Sequence, residues 1–421
     1  MISDETREGS EHLAEFAQPT SDLKSESGPN GRLESPSDQP RPELESAPID
    51  GKPPPQFLPV VEVRNLNWEA AHTLINPTSL RARMPAIIER MEQRLDQASG
   101  PEMLFDRDRG CATDKAIHVT QVEPDKPLWF VGDLHGDWLA LESILLLIQG
   151  HNAAIGANSR IIFLGDLFDD EGFGLEVLVR VFEIAVENPT SVCIIAGNHD
   201  ESLGFDGQYF TSAVSPSDFC AFLNSHIEDE WIARAGKLAI RLFALAPRAL
   251  FFPDGLLVAH GGFPLSDLQG ELQRTGDWNH PDCLSDFVWT RAHPRARKKL
   301  PNRFTRGCQF GYEDFAAFCS LAATLGRPVT HMVRGHDHVE ERFAVYPAYY
   351  AHPILTTNAL CRRLPRELSG PHERSPTAAL YVEGSLPHVF RLHVPAELIH
   401  LTYPEAGDPM LPEDESKSAE A

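Results

Sequence analysis

Five short motifs in this 421-residue chain carry side chains able to hold metal ions or move protons. They are Gly132-Asp133-Leu134-His135-Gly136, Gly165-Asp166-Leu167-Phe168-Asp169, Gly197-Asn198-His199-Asp200, His260-Gly261-Gly262 and Gly335-His336-Asp337-His338. A Gly-Asp or Gly-His pair alone is an ordinary turn, but five in series, each behind an apolar run, describe a site. Carboxylate, imidazole and amide oxygen together suit borderline-hard divalent ions: two manganese ions are expected, with iron or zinc as alternatives. Asp166 can bridge the two, with Asp133 and His135 holding one and Asn198, His260 and His336 the other. Cations about 3.5–4 Å apart polarise a phosphoryl group and acidify the water between them, which makes a nucleophile at neutral pH. His199, beside the ligand Asn198, is then free to protonate the leaving oxygen. Asp169 is placed to accept a hydrogen bond from that imidazole and hold its tautomer. The chemistry expected is metal-dependent hydrolysis of a phosphoester.

Such side chains need strand ends to position them. Trp129–Val131, Ile161–Leu164 and Val192–Ile195 read as short strands buried on both faces. Between them, Trp138 to Ile148 and the set Leu175, Leu178, Val179 and Phe182 read as amphipathic helices. That is a β-α-β-α-β order, expected of a parallel sheet with right-handed crossovers. Each polar motif falls where its strand stops, the usual ligand-binding edge of an open α/β sheet. The glycines are expected to let the chain turn sharply there. Upstream, Pro85 is expected in the first turn of a helix with the apolar stripe Ile87, Ile88, Met91 and Leu95. The Gln208–Ala246 insert reads as mostly helical and is expected to cover the site. Arg342–Tyr346, Ile354–Thr357, Ala379–Val382 and Val389–Val394 alternate like strands of a second sheet. Trp231, Trp289, Phe219 and Phe222 are expected to pack in the core.

The motifs resemble those of the phosphoprotein phosphatases, the calcineurin-like serine/threonine phosphatases within the wider metallophosphoesterase superfamily. Beyond the first three motifs and His260-Gly261-Gly262, the likeness includes Asp286-Phe287-Val288-Trp289, Arg306-Gly307 and Arg334-Gly335-His336, and it runs from about Val61 to Val394. The resemblance implies phosphomonoester hydrolysis by in-line water attack, without a covalent phosphoenzyme. The fold expected is α/β, an α/β/β/α sandwich of two mixed sheets flanked by helices. Three departures stand out. The family's phosphate-gripping arginine is Asp170 here, which should weaken phosphate binding by adding an anion next to the substrate; the alternative is that Asp170 faces away and pairs with the basic run Arg291–Arg303. Gly197-Asn198-His199 is followed by Asp200 and preceded by Ala196, closer to the wider superfamily and to dinucleoside tetraphosphate hydrolases. His338 matches the second histidine of the superfamily's Gly-His-x-His, which completes the first metal site. Arg306 aligns with the family's second phosphate-contacting arginine, within a basic run of Arg291, Arg295, Arg297, Lys298, Lys299 and Arg303.

Composition bounds the rest. With 42% hydrophobic residues the chain can bury a large core. Residues 1–56 are rich in Ser, Pro, Glu and Asp, and 401–421 are also acidic; together they hold about half of the net charge of −24. The domains expected are these two tails around a catalytic domain at 57–400 with a helical N-terminal segment. The start lacks the apolar core of a signal peptide. The most apolar stretch, near Leu238–Phe252, is interrupted by Arg241 and Arg248, and no span of membrane length is expected. The seven cysteines, with no Cys-x-x-Cys pair, read as reduced thiols of a cytoplasmic protein. The substrate expected is a phosphoprotein, on phosphoserine or phosphothreonine, or a phosphorylated small molecule. No nucleic-acid or membrane partner is expected, and the partners of the tails are unknown. Two further readings remain: a dinucleoside polyphosphate or phosphodiester hydrolase, and a non-catalytic binding protein that keeps the fold.

Overall fold

A computed structural model describes residues 59–97, 102–297, 300–301 and 306–404. The tail expected at 1–56, all of 405–421, and Lys298, Lys299 and Arg303 of the basic run lie outside the described residues. In chain order the strands are β1 (Val61–Val63), β2 (Ala116–His118), β3 (Leu128–Val131), β4 (Arg160–Phe163), β5 (Val192–Ile194), β6 (Leu203–Phe205), β7 (Phe210–Ser212), β8 (Ala249–Phe251) and β9 (Leu256–Ala259). They continue with β10 (Arg291–Ala292), β11 (Leu300–Pro301), β12 (Cys308–Phe310), β13 (His331–Arg334), β14 (Phe343–Val345), β15 (Ile354–Thr357), β16 (Thr377–Leu380) and β17 (His388–Leu392).

Two six-stranded sheets form the frame, in the orders β1-β17-β16-β3-β4-β5 and β14-β15-β13-β9-β8-β2. β3, β4 and β5 are parallel, as are β9, β13 and β15, while β16 and β8 add antiparallel neighbours. Alternation along each strand sorts the layers. In β4, Ile162 points into a core shared with Val258, Val333 and Leu355 of the other sheet, while Ile161 and Phe163 point out to helices. In β9, Leu256 and Val258 face inward, and Leu257 and Ala259 face Phe287, Phe315 and Phe318 on the far side. The helices Pro77–Leu95, Trp138–Ile155, Gly174–Glu187 and Glu230–Leu245 cover the first sheet; Pro281–Trp289 and Tyr312–Thr324 cover the second. The result is the α/β/β/α sandwich of two mixed sheets that the sequence leads one to expect.

Several expectations are corrected. The first long helix starts at Pro77, not near Pro85: the Asn76 side chain accepts from Ser79 N at 2.9 Å and Pro77 takes the first turn, leaving Pro85 inside the helix. Only Phe343–Val345 and Ile354–Thr357 join the second sheet, whereas β16 and β17 return to the first and pair beside β3. The insert is not a cover. Its long helix, Glu230–Leu245, lies against the Pro77–Leu95 helix, with Arg234 on Glu92, and also packs beside Asn198–Ser202, while the helix Asp218–Ser225 reaches the Asp169 loop through Phe219 N. The Trp138–Ile155 helix is long and apolar enough to cross a membrane by length and composition. It runs between helices and sheet in this fold, with Trp138, Leu141 and Ile144 fully packed. Packing also continues past 400: the helix Ala396–Thr402 sets the buried Tyr403, whose hydroxyl donates to Asp137 at 2.9 Å. Trp289 and Phe219 are buried, as expected, and all seven cysteines are free thiols.

Candidate metal centre

The site forms where β3, β4 and β5 of one sheet and β9 and β13 of the other stop. Glycine is required at two of these ends by space: a Cβ on Gly335 would fall on the Asp133 carboxylate, and one on Gly197 on the Asp166 carboxylate. The sharp turns, expected at the glycines, extend to the site residues themselves. His135, Asp166 and His336 adopt φ of 41°, 52° and 67°, and Asp169 and Asp170 follow at 73° and 60°. Left-handed backbone at non-glycine residues costs about 1–3 kcal/mol each and persists where surrounding bonds over-determine it. Asp200 supplies such bonds, accepting from Asp166 N at 2.7 Å, Gly197 N at 2.9 Å and Leu167 N at 3.1 Å. Burial, with Asp166 beside it, pushes the Asp200 carboxyl up to about 7.

One oxygen of Asp166 faces two groups of side chains. Its Oδ2 lies 3.6 Å from His135 Nε2 and 3.3 Å from His260 Nε2, while its Oδ1 accepts from His199 N at 2.9 Å. On the first side, His135 Nε2 is 3.1 Å from His338 Nε2, which is 3.6 Å from Asp133 Oδ2. On the second, His260 Nε2 is 3.1 Å from both His336 Nδ1 and Asn198 Oδ1. His338, placed by motif alone, thus stands with Asp133 and His135, and His260, His336 and Asn198 stand together across Asp166.

These residues fit metal ions for a reason of proton accounting. The outer nitrogens of three rings face acceptors: His135 Nδ1 lies 3.2 Å from Asp170, His338 Nδ1 3.5 Å from Glu367, and His260 Nδ1 2.9 Å from Leu164 O. With those nitrogens protonated and the rings neutral, the inner ones would be lone pairs converging with carboxylate oxygens, although burial of His260 is outweighed by Asp166 and Asp133, which raise its pKa. Burial and the neighbouring His338 hold the His135 imidazolium well below the usual range, and burial and Arg291 do the same for His336, so both rings are neutral, the ligand form. Buried lone pairs facing one another are costly unless a cation lies between them. The Asn198 amide responds to this choice. With its nitrogen inward it donates to His336 Nδ1 at 2.6 Å and His260 Nε2 at 3.1 Å, whereas its oxygen completes a cation site.

His199 lies beside the first group, its ring centroid 5.0 Å from that of His135 and its ring clustered with His135 and Asp170. Its Nδ1 is 2.8 Å from Asp169 Oδ2, and the other Asp169 oxygen accepts from Phe219 N at 2.9 Å, the contact that ties the insert to the site. Burial opposes a charge on His199, but Asp166, Asp169 and Asp170 outweigh it and lift its pKa to about 9.

Asp170 is fully buried, its carboxylate 3.2 Å from His135 Nδ1, and among the described residues its cation is Arg366, 3.3 Å away, rather than Arg291, Arg295 or Arg297 of the basic run. Its left-handed backbone is held by Asp218, which accepts from Asp170 N at 2.8 Å, and by Arg362, which donates to Asp170 O at 2.6 Å. Glu367 pairs bidentately with the buried Arg342 at 3.0 and 2.8 Å. Sequence reasoning missed Glu367 altogether and saw Asp170 only as a departure. Arg306 is exposed, its guanidinium 5.7 Å from the Trp289 ring centroid, and Trp289 Nε1 donates to Glu201 at 2.7 Å.

The profile of the family described as calcineurin-like phosphoesterase matches residues 126–340, about half of the chain. The rat protein Serine/threonine-protein phosphatase 5 is 23% identical over 246 residues, 56% of this chain and 43% of that protein. The Drosophila melanogaster Serine/threonine-protein phosphatase 6 catalytic subunit is 22% identical over 182 residues, 42% of this chain and 54% of that protein. The chain thus spans about half the length of the relatives it matches. A solved protein serine/threonine phosphatase from Saccharomyces cerevisiae is 14% identical, with a TM-score of 0.46 over 75% of this chain and 90% of that one. The matched stretch runs through every ligand from Asp133 to His338, and the chain belongs to the calcineurin-like phosphoesterase family, whose members use a dinuclear metal site.

Proposed function

We propose that this protein is a metal-dependent phosphomonoesterase acting on phosphoserine or phosphothreonine in proteins. One observation carries the reading: two groups of buried lone pairs share a single Asp166 oxygen, and a charged imidazole stands beside them. Two divalent ions, when bound, supply the Lewis acidity and the acidified water of phosphoester hydrolysis. Asp133, His135, Asp166 and His338 would hold one, and Asp166, Asn198, His260 and His336 the other. The chain's own work is then clear in outline. Asp166 keeps both groups in register through its second oxygen, fixed on His199 N. Asp169 holds the His199 proton on Nδ1 and stabilises the imidazolium, so that Nε2 can give its proton to the leaving oxygen. Arg306 contributes to phosphate binding from the Trp289 side.

The names of the matched relatives favour serine/threonine phosphoproteins as the substrate class. A manganese-loaded preparation should be assayed against phosphoserine and phosphothreonine peptides, diadenosine tetraphosphate and a phosphodiester. Hydrolysis of the peptides, lost on chelation and restored by manganese, is the expected result. Turnover confined to the dinucleotide or the diester would replace the substrate class, and no turnover on any of them, with metals bound, would leave a binding protein.

A further inference from the structure

We propose that Arg366 contacts the substrate phosphate, and that Asp170 is a positioning residue that tethers it there while fixing the His135 ring. The inference rests on the phosphoesterase reading above. It starts from a count of what the nearby arginines already do. Arg334 is buried and spends its guanidinium on Gly261 O, Asp337 and Thr290 O. Arg342 is buried on Glu367, Glu373 O and Arg362 O. Arg362 is buried on His135 O and Asp170 O, and Arg291 binds His336 O and Asp337. These cations brace the backbone of the ligand loops, and all but Arg291, which is 28% exposed, are buried.

Arg366 is built differently. Its side chain is 55% exposed, and among the described residues its bonds run from one nitrogen, Nη2, to the two Asp170 oxygens at 3.3 and 3.4 Å. One edge of the fork is thus held and the other is presented outward. The anchor is itself part of the centre, since Asp170 lies 3.2 Å from His135 Nδ1 and clusters with His135 and His199. A half-exposed guanidinium bonded to the carboxylate that adjoins both the His135 and His199 rings is, on this proposal, the cation that meets an entering phosphate.

The segment carrying Arg366 is fixed from both sides. Asp137 accepts from Cys361 N at 2.7 Å and Arg362 N at 2.9 Å, and Glu367, the next residue, is locked by Arg342 while facing His338 Nδ1. A rim arginine on a mobile loop loses side-chain and backbone entropy on meeting a phosphate; this one is largely ordered beforehand. The competing account is a surface ion pair of small worth.

The measurement is calorimetric binding of inorganic phosphate to the manganese-loaded chain, with metal content determined on the same samples. Arg366→Ala should keep two ions per chain and bind phosphate roughly 10–100-fold more weakly, as expected for losing a charge-assisted hydrogen bond. Arg366→Lys should recover part of that loss, keeping the charge without the fork. Asp170→Asn should weaken phosphate binding and, unlike the arginine variants, should also weaken metal binding by roughly 10–100-fold, the usual cost of losing a ligand's outer partner. Wild-type affinity for phosphate in Arg366→Ala, with metals retained, overturns this inference alone. A metal-loaded wild-type chain that binds no phosphate overturns it together with the reading on which it rests.

Discussion

Replacing Asp169 by asparagine alters the His199 ring through one partner and tests the proton-donor role. Asp169 Oδ2 lies 2.8 Å from His199 Nδ1, and Oδ1 accepts from Phe219 N at 2.9 Å. In Asp169→Asn the amide oxygen can keep the Phe219 bond, which turns an N–H toward Nδ1. The ring must then accept at Nδ1 and carry its proton on Nε2 as a neutral imidazole, a far weaker acid. Burial opposes the His199 charge, while Asp166, Asp169 and Asp170 lift the pKa to about 9 from an ordinary 6.5. A general acid works in its protonated form, so activity is present below the folded pKa and is lost as pH rises through it. If the pKa falls back to about 6.5, the protonated fraction at pH 8 drops from roughly 90% to roughly 3%, about thirtyfold. Bound cations lower both values together, so the displacement between the two profiles is the informative quantity. The assay is kcat against pH for a phosphoserine peptide and for a nitrophenyl phosphate, with metal content measured alongside. The variant's basic limb should move about 2.5 units to lower pH, and its loss should be larger for the peptide, whose leaving group needs the proton. A basic limb that stays in place, with equal losses on both substrates, would refute the donor role of His199.

Three other outcomes are expected. Asp166→Asn should lose both ions and all measurable turnover, because its Oδ2 serves both groups of ligands; metal analysis finding two tightly held ions and unchanged turnover would remove the dinuclear assignment. Arg306→Ala should raise KM for phosphopeptides roughly tenfold, the scale of a charge-assisted hydrogen bond, and an unchanged KM would leave Arg306 a surface residue on Trp289. Burial pushes His331, at the start of β13, down to about 4, so between pH 6.5 and 4 the unfolded chain binds a proton that the folded chain does not. Stability should therefore fall on acidification across that window by about 3 kcal/mol, and denaturant midpoints for His331→Gln should lack that slope.

The fold was legible where burial on both faces makes a strand an unbroken apolar run, as in Trp129–Val131 and Ile161–Leu164. It was not legible where pairing depends on partners far along the chain. Ala378 and Val389 alternate as strand residues should, but alternation does not say which sheet they enter, and both returned to the first. Pro85 drew the helix start because the apolar stripe after it is strong, whereas the true start lies in Asn76-Pro77, a cap and a first-turn proline whose helix carries its stripe back through Leu80 and Met84. In the Trp138–Ile155 helix, Glu142 and Ser143 dilute an apolar run that the fold nevertheless buries, with Glu142 accepting from Trp138 Nε1 and pairing with Arg180.

The site divides along the same line. The candidate ligands could be named because each sits within a few residues of the strand end that aims it, so local spacing brings them to one place. Their outer partners come from elsewhere in the chain: Glu367 reaches His338 across the β15–β16 connection, and Asp170 reaches His135 from the end of β4. Read by position alone, an aspartate in place of the family's arginine looks like a lost phosphate grip. The backbone at that position, left-handed and held by Asp218 and Arg362, sets the carboxylate 3.2 Å from the Nδ1 of the His135 ring. The positive charge is not lost either, since the carboxylate holds Arg366 at the rim. Position 170 thus places a carboxylate 3.2 Å from the His135 ring, and the cation paired with it comes from a loop nearly two hundred residues away, beyond the reach of any local motif.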